Sequence, residues 1–224
     1  TENQWTLLSD TSWEGYTEIP QDIMAGYGTI FREIEEQRIG CDPITHVIIQ
    51  AGVGGLASAG GAWLHLNSHS GVWSNHVKLI IVEPLDADCI AVNVIHQQNN
   101  IHNKKLISCI GDTNSIMAGL NCGTPSLVSW PILRDIASTF VTIGDNWAKR
   151  AMKLMLTQGI ISGESGAAGV AAILAAPSLF DEESIILTIN TESDTDPDRY
   201  QEIIQENIQE STLGDPTFNQ TARL

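Results

Sequence analysis

"THVIIQAGVGGLASAGGAWL", residues 45–64, decides the fold. It passes from a β-branched run into glycines and then into small residues of helical character. The run over 45–50 is largely apolar rather than alternating, which marks a strand covered on both faces. Gly52, Gly54 and Gly55 let the backbone turn tightly and approach an anion, and the helix that follows offers free N–H groups and a favourable dipole. Taken alone, this turn has three readings. It can hold the single phosphate of pyridoxal phosphate. It can hold a dinucleotide, because Gly52-Val53-Gly54-Gly55-Leu56-Ala57 matches the GxGxxA pattern and Glu83 ends the next strand as a ribose-binding acid would, although 26 residues past Ala57. It can also be a strand-to-helix turn without a ligand.

Working outward, the pattern predicts a strand over 5–9, a helix over 19–37 with Pro20 in its first turn, and a strand over 76–84 stopped by Pro84. A short helix follows Ala87, then a polar loop at 97–114. A helix at 131–138, a strand at 139–143 and a helix at 146–157 capped by Asp145 come next. The remainder reads as a small-residue helix over 165–176, a strand over 184–190, a closing helix over 196–209 and a loose polar tail over 211–224. Alternating strands and helices with apolar strands imply an α/β fold: a three-layer parallel sheet with helices on both faces, forming one domain over 1–210.

The bulk numbers limit the partners. Of 224 residues 42% are apolar, enough for a core, and the net charge is −16. That charge argues against nucleic acid and anionic membrane. It does not argue against one bound anion, because backbone N–H groups make a phosphate site locally. Cys41, Cys89, Cys109 and Cys122 form no CxxC pair, and scattered thiols fit a reducing cytoplasm. No stretch is long and apolar enough to span a membrane. The first residue is Thr1, not Met, and the opening reads as a cut.

Four other stretches carry candidate chemistry. Ser165 in "IISGESGAAG" (160–169) stands at a helix start, either facing a ligand or serving as an N-cap. Thr191 and Glu192 follow the last strand, where ligands of open α/β sheets bind, although Thr195 or Asp196 there can simply cap the next helix. Asp10 in "SDTSWEGYTEIP" (9–20) lies beside Trp13 and Tyr16, as a desolvated general base or as an Asx-turn residue. "SIMAGLNCGTP" (115–125) reads as packing. The six histidines do not cluster with cysteines or acids, so no metal site is expected.

Together, "DTSWEGYTEIP", "THVIIQAGVGG", "IIVEP", "DADCI", "SIMAGLNCG", "IISGESGA" and "INTESDTD" resemble the diaminopropionate ammonia-lyases in content and in order, from about residue 5 to about residue 205. The resemblance implies pyridoxal phosphate as cofactor, the tryptophan synthase β-like fold and the large domain of a fold type II enzyme. It implies that Gly52, Val53, Gly54, Gly55 and Leu56 hold the cofactor phosphate, that Ser165 lies at the pyridine nitrogen, and that Thr191 and Glu192 close the ring side of the pocket. Asp10 matches one of two acidic bases that remove the α-proton of the diamino acid. The implied reaction eliminates ammonia from 2,3-diaminopropionate and leaves pyruvate and ammonia.

The chain departs from that pattern in one respect. The family's Schiff-base lysine and its other acidic base lie upstream of the matching segments. Lys78, Lys104, Lys105, Lys149 and Lys153 all read as solvated charges. The expectation is therefore a C-terminal part of the enzyme, N-terminally truncated, without its small domain and inactive alone. It would act as a homodimer or with a complementary N-terminal half. The alternative is a remnant that binds a phosphate, pyridoxal phosphate or a protein partner without turnover. A sheet cut from its earlier strands should carry an unpaired edge, and the isolated chain should be aggregated or marginally folded. Gly54→Val is expected to block the loop and leave the sheet largely intact.

Overall fold

The structure, a computed structural model, describes residue 6, residues 8–99 and residues 105–220. It is a three-layer α/β fold around a five-stranded sheet. The elements in order are α1 (Glu18–Gln37), β1 (Ile44–Gln50), α2 (Gly55–Leu66), β2 (Trp73–Pro84), α3 (Cys89–Asn99), α4 (Trp130–Ile136), β3 (Thr139–Ile143), α5 (Asp145–Thr157), α6 (Ala168–Ala175), β4 (Ile186–Thr188), α7 (Pro197–Gln205) and β5 (Thr217–Gln220).

The strands lie in the order β4-β1-β2-β3-β5. The β1–β2, β1–β4 and β2–β3 pairs are parallel, and β5 joins β3 antiparallel. Successive side chains alternate between two cores, as the two-residue strand period demands. Val47, Ile49, Leu79, Ile81 and Phe140 pack with α1–α4, whereas Ile48, Ile80, Val82, Val141 and Ile143 pack with α5–α7. Burial on both faces explains why these strands read as apolar runs.

The predicted elements recur with four differences. The expected strand over 5–9 is absent at residues 6, 8 and 9, and its other residues lie outside those described. Asp145 does not cap α5. Gly144 is the N-cap, and the Asp145 carboxylate instead accepts from Ser115 Oγ at 2.6 Å and from Ile116 N at 3.3 Å. The strand expected over 184–190 is only three residues long, and its edge away from β1 has no partner among the described residues. Residues 211–220 of the expected tail are not loose, and 221–224 lie outside the described residues. The described part is tied to α5 by Asn146 Nδ2 donating to Thr212 O at 2.7 Å and Trp147 Nε1 donating to Gly214 O at 3.1 Å, and it then pairs as β5. A polar stretch gives no hydrophobic signal of that docking, because backbone groups and two side-chain donors make it.

Candidate cofactor and active site

The carboxyl ends of β1, β2, β3 and β4 open onto one edge of the sheet, as parallel topology requires. The turn after β1 holds the glycines. Gly54 adopts φ 97° and ψ 8°, and a Cβ there would lie 2.7 Å from Leu133 Cδ1. The carbonyls of this turn are occupied: Gly52 O accepts from Cys89 Sγ at 3.4 Å, Val53 O from Ser126 N at 3.0 Å and Gly54 O from Ser58 N at 2.8 Å. The N–H groups of Gly54, Gly55 and Leu56 meet no acceptor among the described residues, while the Val53 N–H bonds to the Cys122 thiol. A planar trans peptide points its C=O and N–H in opposite directions. Fixing three carbonyls inward therefore turns the next N–H groups outward, at the start of a helix. That arrangement suits an anion.

The 115–125 stretch, expected only to pack, forms the link between the glycine turn and Ser165. A Cβ on Gly52 would lie 2.8 Å from Cys122 Sγ and 3.2 Å from Gly119 O. On its other side Gly119 N donates to Ser165 Oγ at 3.1 Å. Ser165 is buried and precedes α6, which has no side-chain cap, so the N-cap reading fails. Its hydroxyl accepts from Gly119 and retains a proton to donate. The bond from Asp145 to Ser115 fixes this link from below, and Asn121 closes it by accepting from Ser115 N at 3.1 Å and donating to Ser115 O at 2.8 Å.

Thr191 and Glu192 also lie at this edge. Gln50, the last residue of β1, donates through Nε2 to Ile189 O at 2.9 Å and to Thr191 Oγ1 at 2.8 Å. Glu192 Oε1 accepts from Ser165 N at 2.6 Å and Gly166 N at 3.2 Å. Its carboxylate is thus engaged with the turn that presents Ser165. Asp196, not Thr195, caps α7 by accepting from Arg199 N at 3.0 Å.

Asp10 is exposed rather than buried against rings. Trp13 and Tyr16 stack on each other at 4.3 Å, and the Asp10 carboxylate meets Thr11 Oγ1 at 3.2 Å, so no Asx-turn forms. Burial pushes the Cys122 thiol pKa up, and the Asp10 charge adds to that rise.

Glu83 is excluded as a ribose-binding acid. It is 1% exposed, and its two oxygens accept from Ile90 N at 2.7 Å and Ala91 N at 2.8 Å, at the start of α3. Nothing in the local sequence announces this, because cap and helix are separated by the turn at 85–88. Burial pushes its carboxyl up to about 8, against the pull of those two N–H groups. A raised folded pKa means the native state holds the proton longer than the unfolded chain. Stability is then greatest below the ordinary value of 4.5 and falls as pH rises toward about 8. The slope can reach about 1.4 kcal/mol per pH unit. Melting Glu83→Gln beside the wild type between those limits should show the slope only in the wild type. Parallel curves would remove Glu83 as its source.

Lys78, Lys149 and Lys153 do not reach the glycine turn. Lys78 is exposed near the start of β2. Lys149 and Lys153 are not solvated as expected: Lys149 Nζ meets Glu206 Oε2 at 2.8 Å, and Lys153 Nζ donates to Ile204 O at 3.0 Å and to Glu206 O. Lys104 lies outside the described residues. A cavity of about 310 Å³ is lined by Arg150 and Lys153, of which Arg150 meets Glu210 Oε1 at 3.8 Å and Lys153 donates to the backbone carbonyl of Glu206. Among the described residues no group of three or more His, Cys, Asp or Glu could hold a metal ion.

A family model described as pyridoxal-phosphate dependent enzyme matches residues 2–192. The chain belongs to this family. Among pyridoxal-phosphate dependent enzymes it is 38% identical over 221 residues to the diaminopropionate ammonia-lyases of Salmonella typhimurium and of Escherichia coli K12, covering 89% and 90% of this chain and 52% of each relative. The crystal structure of the Escherichia coli enzyme in complex with an aminoacrylate-PLP azomethine reaction intermediate superposes with a TM-score of 0.77 at 34% identity, over 91% of this chain and 53% of the other. The processed form of threonine deaminase isoform 2 from Solanum lycopersicum shares the fold, at 19% identity and a TM-score of 0.63 over 82% of this chain and 50% of the other. The chain spans about half the length of the curated relatives it matches. Its architecture is that of the fold type II members, and the family's cofactor is pyridoxal phosphate. The residues present fit that cofactor: open amides at a helix start suit its phosphate, and a buried hydroxyl with a free proton lies across the Gly119 link.

Proposed function

We propose that this chain is the cofactor-holding part of an ammonia-lyase acting on 2,3-diaminopropionate, which with one water gives pyruvate and two ammonia. The observation that carries this reading is the turn of occupied carbonyls and open amides, joined through Gly119 to Ser165. The N–H groups of Gly52, Gly54, Gly55 and Leu56 hold the phosphate, and that of Val53 bonds to Cys122 instead. Ser165 donates to the ring nitrogen. Thr191 and Glu192 fix the ring side, the first through Gln50 and the second through the Ser165 turn. When bound, pyridoxal phosphate supplies the electron sink for loss of the α-proton. The Asp10 carboxylate receives that proton from the substrate α-carbon. The lysine that carries the cofactor is assigned to residues outside these 224, because the resemblance puts the family's Schiff-base lysine upstream of the matching segments. The cofactor domain runs past residue 210 to include β5, the working form is a homodimer or a complement with an N-terminal half, and the reducing cytoplasm is its compartment.

The test is an assay for pyruvate from 2,3-diaminopropionate with the chain alone and with a co-expressed N-terminal half carrying the lysine. The chain alone should be silent and show no visible-range absorption of a lysine-linked cofactor. Its short, open β4 edge should also leave it oligomeric or poorly folded until the other half is supplied. Steady turnover by the chain alone would refute the division of labour.

A further inference from the structure

Among the described residues, every hydrogen bond from residues 8–16 to the rest of the chain passes through Ser12. Ser12 N donates to Ser126 Oγ at 2.9 Å, the two hydroxyls meet at 2.6 Å, and Val128 N donates to Ser12 Oγ at 2.8 Å. Both serines are buried, at 4% and 0% exposure. The remaining bonds are internal to the loop: Tyr16 OH accepts from Ser9 N at 2.9 Å, and Trp13 and Tyr16 pair through their backbones. Asp10 thus rides on a self-tied loop anchored two residues away.

Ser126 has a second role. Its N–H donates to Val53 O at 3.0 Å. That carbonyl shares a peptide plane with the Gly54 N–H, so its capture aims an anion-facing donor. We propose that Ser126 is a positioning residue that couples the anion-holding turn to the Asp10 loop, setting both from one buried joint. The inference rests on the lyase reading for the use of Asp10, but the joint itself does not depend on it.

Ser126→Ala separates the two roles, since it keeps the N–H on Val53 O and removes the hydroxyl that meets Ser12 N and Oγ, leaving Ser12 only its bonds from Val128 N and Leu127 N. Amide hydrogen exchange on the chain co-expressed with the N-terminal half, with and without pyridoxal phosphate, reads the coupling. In the wild type the cofactor should protect both 53–57 and 9–16. In the variant it should protect 53–57 only. Without ligand, the variant should exchange about tenfold faster at 9–16 and within about twofold of wild type at 53–57. Ser12→Ala, which keeps Ser12 N on Ser126 Oγ, should give the same pattern at smaller amplitude and serves if Ser126→Ala fails to fold. In the assembly that turns over, Ser126→Ala should lower kcat by about tenfold or more with KM and cofactor affinity within about twofold. Protection of 53–57 with an unresponsive 9–16 loop in the wild type, or identical behaviour of the variant, overturns the coupling. No protection at 53–57 in the wild type sinks the cofactor reading instead, and the ligand-free comparison then decides the joint: equal exchange at 9–16 overturns it. A variant that lowers kcat and cofactor affinity together also overturns it, because that is a general structural loss.

Discussion

Asp10→Asn in the assembled lyase is expected to lower kcat by about 10²- to 10⁴-fold, the usual worth of a positioned general base. The side chain is exposed and bonds only to Thr11, so the swap should change stability by no more than about 0.5 kcal/mol. Cofactor affinity should be untouched, because the proposed phosphate site is made of backbone amides on the other side of the Ser12–Ser126 joint. Steady-state pyruvate release and exchange of the substrate α-hydrogen with deuterated solvent should fall together. A variant that keeps its exchange rate while losing turnover would assign proton removal to another group.

Gly54→Val has the second large effect, and it falls on folding rather than on binding. The sequence alone places the added branches in the phosphate space with the sheet left intact. The structure overturns this, because a Cβ at Gly54 points into the core, 2.7 Å from Leu133 Cδ1, 3.2 Å from Ile90 Cδ1 and 3.3 Å from Ser129 Cβ. Overpacking costs about 1–3 kcal/mol, and a non-glycine residue in the left-handed region costs about 1–2 kcal/mol more. Against a typical domain stability of about 5–15 kcal/mol, the variant is expected to melt well below the wild type or not to fold. Gly55→Ala is the control: its Cβ would meet only Tyr27 Cε2, at 3.8 Å, and its melt should stay near that of the wild type. Thermal unfolding by circular dichroism compares the three. A wild-type melt for Gly54→Val would contradict the packing described here.

What the sequence by itself determined was the layered architecture and the glycine turn between β1 and α2. Both depend on signals that are local in the chain. Continuous apolar runs at 45–50 and 139–143 report burial on two faces, and glycines between a strand and a small-residue helix report a tight turn with open amides. The motifs around Asp10, Ser165, Thr191 and Glu192 were also legible as candidates.

Tertiary structure alone decided what each of them touches. Asp145 reads as a helix cap, yet it fastens Ser115, thirty residues away. Glu83 reads as a cofactor ligand, yet it caps α3. Gly119 reads as packing, yet it joins the glycine turn to Ser165. Ser12 and Ser126 carry no local signal, although their pairing spans 114 residues. The tail became a strand because β3 offered an open edge. The physical reason is the same in each case. A carboxylate, hydroxyl or backbone amide satisfies itself with any correctly placed partner, whatever its distance along the chain, so only the packed sheet edge selects which one it meets.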